Sequence, residues 1–181
     1  MKYSQAKKAS PVSAPSLPVG WADGLRCLSI HRPWPAAILE RGKRFENRRR
    51  GAVEWLARFR RPIVGAYLGI YATKSVDTSP WAMEVHPVGD VGVVGVAKVE
   101  RLASRWGDDC RCAYRTGPCG VILSNVWRLV EPVQPTDFGM RGCQLQGLWS
   151  PPEDMRVAIA DAPKSYCGGL LPPVRHGRTG V

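Results

Sequence analysis

The residues Gly42-Lys43-Arg44-Phe45-Glu46-Asn47-Arg48 concentrate groups able to do chemistry in one short string. On extended chain Glu46 and Arg48 point to the same face, and Lys43, in the preceding turn, can fold onto it. Glu46 can then accept a hydrogen bond from an exocyclic amine, as carboxylates do with cytosine. Lys43 and Arg48 can hold a phosphate or a carbonyl oxygen. The same string reads equally as an ion pair that orients a helix against a barrel. His31, Trp34 and Tyr71 are candidates for a stacking wall against a base, worth ~1–3 kcal/mol per base. Trp34 has a competing role as a core plug, and His31 is a polar pocket wall or a general base. For catalysis the pair to consider is Lys43 and Glu46: a glutamate working as general base through water, a lysine steadying an oxyanion.

Charge narrows the partners. The 181 residues hold 26 Lys and Arg against 15 Asp and Glu, a net +11. Residues 32–61 alone contain ten basic and three acidic side chains, and 19 of the 26 cations are arginine. A guanidinium fits phosphates and base edges and stacks on rings. A polyanionic or phosphorylated partner follows, with Arg32, Arg48, Arg49, Arg50 and Arg60 as the candidate rim for nucleic-acid contact. No run of about 18 apolar residues suggests a membrane span.

The elements that must position these groups can be read from pattern. Residues 25–30 form a first strand. Pro33-Trp34-Pro35 turns into a helix over 35–41, because proline is tolerated in a first helical turn, and Gly42 stops it as a left-handed cap. Residues 45–48 are extended. A short amphipathic helix follows over 53–59, with Val53, Leu56 and Trp55 or Phe59 inward. Three β-rich stretches cover 63–73, with Gly65 and Gly69 as places where it can break, 91–102 and 120–129, with Gly92 and Gly95 placed for a bulge or barrel bend. Ser79 caps a helix start in 77–85, 145–149 is a last short strand, and 151–160 adds a helical turn or two. This lacks the βαβα alternation of a doubly wound sheet. It predicts an α+β class, a small β-barrel with two or three short peripheral helices.

The ends look different. Residues 1–20 are basic and rich in Pro and Ser and are expected to be a disordered tail; 162–181 read as an irregular C-terminal tail. The segment at the start has no apolar core of secretory type, so a cytoplasmic chain with free thiols is expected. Cys110, Cys112 and Cys119 stand at C-x-C-x6-C, not a usual zinc spacing, so neither a metal nor a cofactor is expected.

Several of these pieces together resemble the ASCH domain family. Its mark is G-x-K-x-x-E-x-R, and its Lys, Glu and Arg fall on Lys43, Glu46 and Arg48; the family's glycine position holds Arg41, with Gly42 adjacent. Leu28-Ser29-Ile30 followed by Pro33-Trp34, then Gly69-Ile70-Tyr71-Ala72-Thr73-Lys74, Val94-Gly95-Val96-Ala97 and Gly147-Leu148-Trp149 are similar to its other segments, in the same order, over residues 25–155. The resemblance implies a PUA-like β-barrel and binding of RNA, or of a single-stranded or modified nucleotide, in a cleft at the 42–48 string, by a chain expected to be a monomer. Some relatives implied by the same resemblance are amidohydrolases on acylated cytidine, and others have nuclease activity, so the alternative reading for this chain is a hydrolase of an acylated nucleoside or of RNA. In the amidohydrolases a threonine nucleophile stands where this chain has Glu46, so a hydrolase here would have to use Lys43 and Glu46 instead.

Overall fold

The computed structural model describes residues 15–58, 62–83, 89–104 and 117–168. Among them seven strands make one mixed sheet: β1 (Arg26–Arg32), β2 (Phe45–Asn47), β3 (Tyr67–Val76), β4 (Gly92–Ser104), β5 (Cys119–Val133), β6 (Leu148–Trp149) and β7 (Lys164–Gly168). Six of them follow the path β2-β5-β4-β3-β1-β6, and β7 adds to β5. Only β1 and β3 run parallel. The path curls into a half-barrel, giving an α+β fold. The helices are α1 (Trp34–Glu40), α2 (Arg50–Ala57), α3 (Pro80–Met83) and α4 (Glu153–Asp161).

The strands read as near-continuous apolar runs because both faces of the sheet are covered. Leu28 and Ile30 of β1 and Leu68, Ile70 and Ala72 of β3 face an inner core completed by Ile38 and Leu39 of α1 and Leu56 of α2. Their neighbours Cys27 and Tyr71 face an outer core covered by Met155 and Ile159 of α4. On β5 the alternation resets between Leu123, inner, and Trp127, outer. Asn125 sits there at φ 44. Such bulges bend a strand and raise its twist. The expected bend on β4 is also present: the register slips on both sides of β4 between Val93 and Gly95. Gly95 is tight, since a Cβ there would meet the Trp127 carbonyl at 2.5 Å and Leu39 at 2.7 Å.

The structure refines one expectation and corrects three. The stretch from residue 63 is broken at Gly65, one of its two expected break points, so that the strand itself starts at Tyr67: Gly65, at φ 84, turns the chain and donates from its N–H to the Val99 carbonyl. It then runs on to Val76. Trp55 is 50% exposed, with Val53 and Leu56 supplying the buried face of α2; Phe59 lies outside the described residues. The strand expected over 145–149 is only Leu148–Trp149, after a 3-10 turn at Gly142–Leu145. The C-terminal stretch from 162 is not wholly irregular, since β7 pairs with β5 through Lys164–Leu129 and Tyr166–Trp127. At the other end, Leu17 and Trp21 pack on the outer core. Residues 1–14, 169–181, Cys110 and Cys112 lie outside the described residues. Cys119 is a buried β5 thiol facing the Ser104 carbonyl.

Candidate functional site

The two ends of the curled path nearly meet, and the site lies in that seam. β2 ends one side, β1 and β6 the other. Arg48, just past β2, spans the gap: its Nη2 donates to the Ser29 carbonyl on β1 at 2.7 Å and lies 3.4 Å from Glu46 Oε1. Beside this bridge opens a cleft of about 1120 Å³.

The local sequence explains how the string reaches the cleft. α1 ends at Glu40, Gly42 takes φ 68, and the Lys43 N–H returns to the Ala37 carbonyl at 3.0 Å. The turn folds the lysine back along its own helix. Its ammonium lies 5.5 Å from the centre of the Trp34 ring, a cation–π contact, and donates to Glu46 Oε2 at 2.5 Å. Lys43 is 1% exposed, and the Glu46 side chain 9%. Arg44, the next residue, turns inward. Its guanidinium donates to the Ile38 carbonyl at 2.6 Å and the Cys167 carbonyl at 3.2 Å, tying α1 and β7 to the start of β2. Phe45 packs with Ala103 and Ile122, and Glu46 pairs in register with Val121, so alternation leaves Glu46 on the cleft side.

The opposite walls come from distant chain. Trp34 Nε1 donates to Asp77 Oδ2 at 2.7 Å, and the Ser79 N–H donates to Asp77 Oδ1 at 2.9 Å, an Asx turn that starts α3. These two hydrogen bonds, with His31 nearby, hold the Asp77 carboxyl below the usual range against the opposing effect of burial. Ser29 fastens the closing segment: its N–H donates to the Gly147 carbonyl, its Oγ donates to the Leu145 carbonyl, and Trp149 Nε1 donates to its Oγ at 3.0 Å. Tyr71 stands edge-on to Trp149, ring centres 5.5 Å apart, and burial pushes its hydroxyl up.

Of the residues the sequence singles out, His31, Trp34, Lys43, Glu46, Arg48 and Tyr71 all line this cleft. Trp34 is a half-buried wall rather than a sealed plug. Arg32 is not in the lining. Its guanidinium donates to the Lys74 carbonyl at 2.8 Å, stapling the end of β1 to β3. Arg49 and Arg50 are exposed at the start of α2, away from the lining, and Arg50 pairs with Glu54 at 2.9 Å. Arg60 lies outside the described residues. Sequence reasoning missed Ser29, Lys74, Asp77 and Arg141 as lining residues. Only Asp77 had a usable signal, the Asp-Thr-Ser-Pro order that favours an Asx turn before a helix. Compared with known proteins, the chain matches no protein-family model and no curated protein.

Proposed function

We propose that the chain binds nucleic acid, taking an unpaired or modified nucleotide, most simply of RNA, into the cleft. The observation that carries this reading is that Arg48 and the edge of Glu46, backed by the buried Lys43, line an open cleft together with Trp34 and Tyr71. A carboxylate backed by two cations offers an acceptor between donors, which suits the edge of a base, and rings offer it a face. The cleft volume exceeds what a small ligand needs, in the ~300–1,000 Å³ range of ordinary pockets. The ASCH resemblance and its PUA-like barrel agree with the α+β half-barrel and supply the expectation of RNA.

Binding is favoured over hydrolysis by how the polar groups are already committed. The Ser29 hydroxyl donates to the Leu145 carbonyl and accepts from Trp149 Nε1, so it is not poised as a nucleophile, and position 46 holds a glutamate where the resembling amidohydrolases hold a threonine. The test measures affinity of wild type and Glu46→Gln for the four ribonucleotides and for short single-stranded RNA. The variant is expected to lose ~1–3 kcal/mol of discrimination between bases while keeping its salt dependence. Unchanged discrimination in a variant with native circular dichroism overturns the reading. Release of product from acylated cytidine or RNA, abolished in Glu46→Gln, establishes the hydrolase instead.

A further inference from the structure

The cleft is lined by four cationic residues, Lys43, Arg48, Lys74 and Arg141, and two carboxylates, Glu46 and Asp77. Their pairing is uneven. Glu46 takes both Lys43 and Arg48. Asp77 is engaged by the Trp34 indole and the Ser79 N–H. Lys74 and Arg141 are left with no carboxylate partner among the described residues, and both are exposed.

We propose that Lys74 and Arg141, with His31 beside them, form a phosphate subsite at the mouth of the cleft, so that the ligand is a nucleotide whose phosphate sits there. This rests on the base-binding reading above and adds where the charge of the ligand goes. The three residues come from separate pieces of chain: the end of β1, the end of β3 and the segment before the Gly142–Leu145 turn. The parallel register, Ile30 with Ala72 and then Arg32 with Val76, sets His31 across from the stretch that contains Lys74. Arg141 is fixed at its backbone, where its N–H donates to Gln144 Oε1 at 3.0 Å, and the segment is fastened at its far end by the Ser29 bonds to Leu145 and Gly147.

Lone exposed lysines and arginines are ordinary surface. These two differ because they open onto the same concavity as the base wall, where low-dielectric sides focus an uncompensated field on whatever enters. Arg32, Arg44 and Arg50 of the basic stretch are poorer candidates on the same ground: the first two donate to carbonyls and Arg50 is paired. A phosphate ester matches a lysine point charge and an arginine fork together. Its source is either the terminal monoester of a free nucleotide or a diester within a strand.

The experiment compares, by calorimetric titration, the four ribonucleosides, their 5′-monophosphates and the corresponding dinucleoside monophosphates. The proteins are wild type, Lys74→Gln/Arg141→Gln, the two single variants Lys74→Gln and Arg141→Gln, and Arg156→Gln on α4, a single-charge control to set against those singles. The phosphate is expected to tighten binding roughly tenfold or more, the size of one charge-assisted hydrogen bond. That gain is expected to collapse in the double variant and persist in the control, with nucleoside affinity unchanged in both. A gain confined to the monophosphates assigns the site to a terminal phosphate; a gain confined to the dinucleotides assigns it to a strand. Equal affinity of nucleosides and nucleotides, or a gain that survives in the double variant, overturns the subsite while leaving the base reading to its Glu46→Gln test. Failure of every probe to bind wild type overturns both.

Discussion

Lys43 and Glu46 are an expensive way to hold a turn. Desolvating two charges costs several kcal/mol per ion, and attraction between them repays this only with good geometry and further hydrogen bonds. Here the further partners are the Trp34 ring on one side and Arg48 on the other. Trp34 is itself set by Asp77, which links the carboxylate to the orientation of the aromatic wall. Asp77 has a depressed folded pKa, caused first by the Ser79 N–H and then by the Trp34 indole, so its contribution to stability has a definite sign. The contribution is fully present above the unfolded value, near 3.9 for aspartate, and is lost as pH falls through the lower folded value. Asp77→Asn is therefore expected to lower the urea midpoint at neutral pH, with the gap from wild type narrowing below about pH 4. A gap that stays constant from neutral to acid pH would show that the carboxylate charge contributes nothing. The pairing of Glu46 with Arg48 was legible in the sequence, because alternation on extended chain is local. The partnership of Trp34 with Asp77 was not, since 43 residues separate them.

At the scale of elements, the string Lys43-Arg44-Phe45-Glu46 divides its labour by direction. Arg44 and Phe45 fasten β2, and Lys43 and Glu46 face the cleft. The sequence showed α1, its glycine stop and the extended segment after it, because each is set by neighbours within a few residues. It did not show that Arg44 is buried, since a Lys-Arg pair after a helix reads as solvated surface. What helps to bury it is β7, which Arg44 meets through the Cys167 carbonyl, 123 residues away along the chain. Substituting Arg44→Met removes the donors to Ile38, Lys43 and Cys167 carbonyls. Leaving buried carbonyls unsatisfied costs about 1–3 kcal/mol each, so a total loss of about 3 kcal/mol or more is expected for the three. Hydrogen exchange locates the damage: amides of Lys164–Gly168 should lose protection, while the β4–β5 pairing keeps it. Uniform loss across the sheet, or none, would mean that Arg44 is not the link between β2 and β7.

Across the whole molecule the fold is held by a sheet covered on both faces, and the two coverings were unequally readable. The inner one, α1 and α2, follows its strands closely in sequence. The outer one joins both ends of the described chain. Trp21 stands edge-on to Tyr67 at 5.9 Å, Tyr67 to Trp127 at 5.6 Å, and Trp127 is tilted against Tyr166 of β7 at 5.3 Å. Lys164 closes the row, its ammonium 5.4 Å from the centre of the Trp21 ring and donating to the Ala160 and Ala162 carbonyls. Composition places a domain boundary near residue 25, because proline and serine upstream give no periodic signal. Packing moves it back at least to Leu17, whose side chain joins Trp21 on the outer core. A chain starting at Leu25 should therefore fold but lose the burial of these two side chains. For two half-buried residues that is about 2–3 kcal/mol, or a melting temperature lower by roughly 5–10 °C for a domain of this size. Trp21→Ala in the full chain should reproduce most of that loss, because the ring carries both the contact to Tyr67 and the contact to Lys164. Equal melting temperatures for the shortened and full chains would put the domain boundary back at residue 25. A loss in the shortened chain that Trp21→Ala does not share would move the weight from the aromatic row to Leu17 and its backbone.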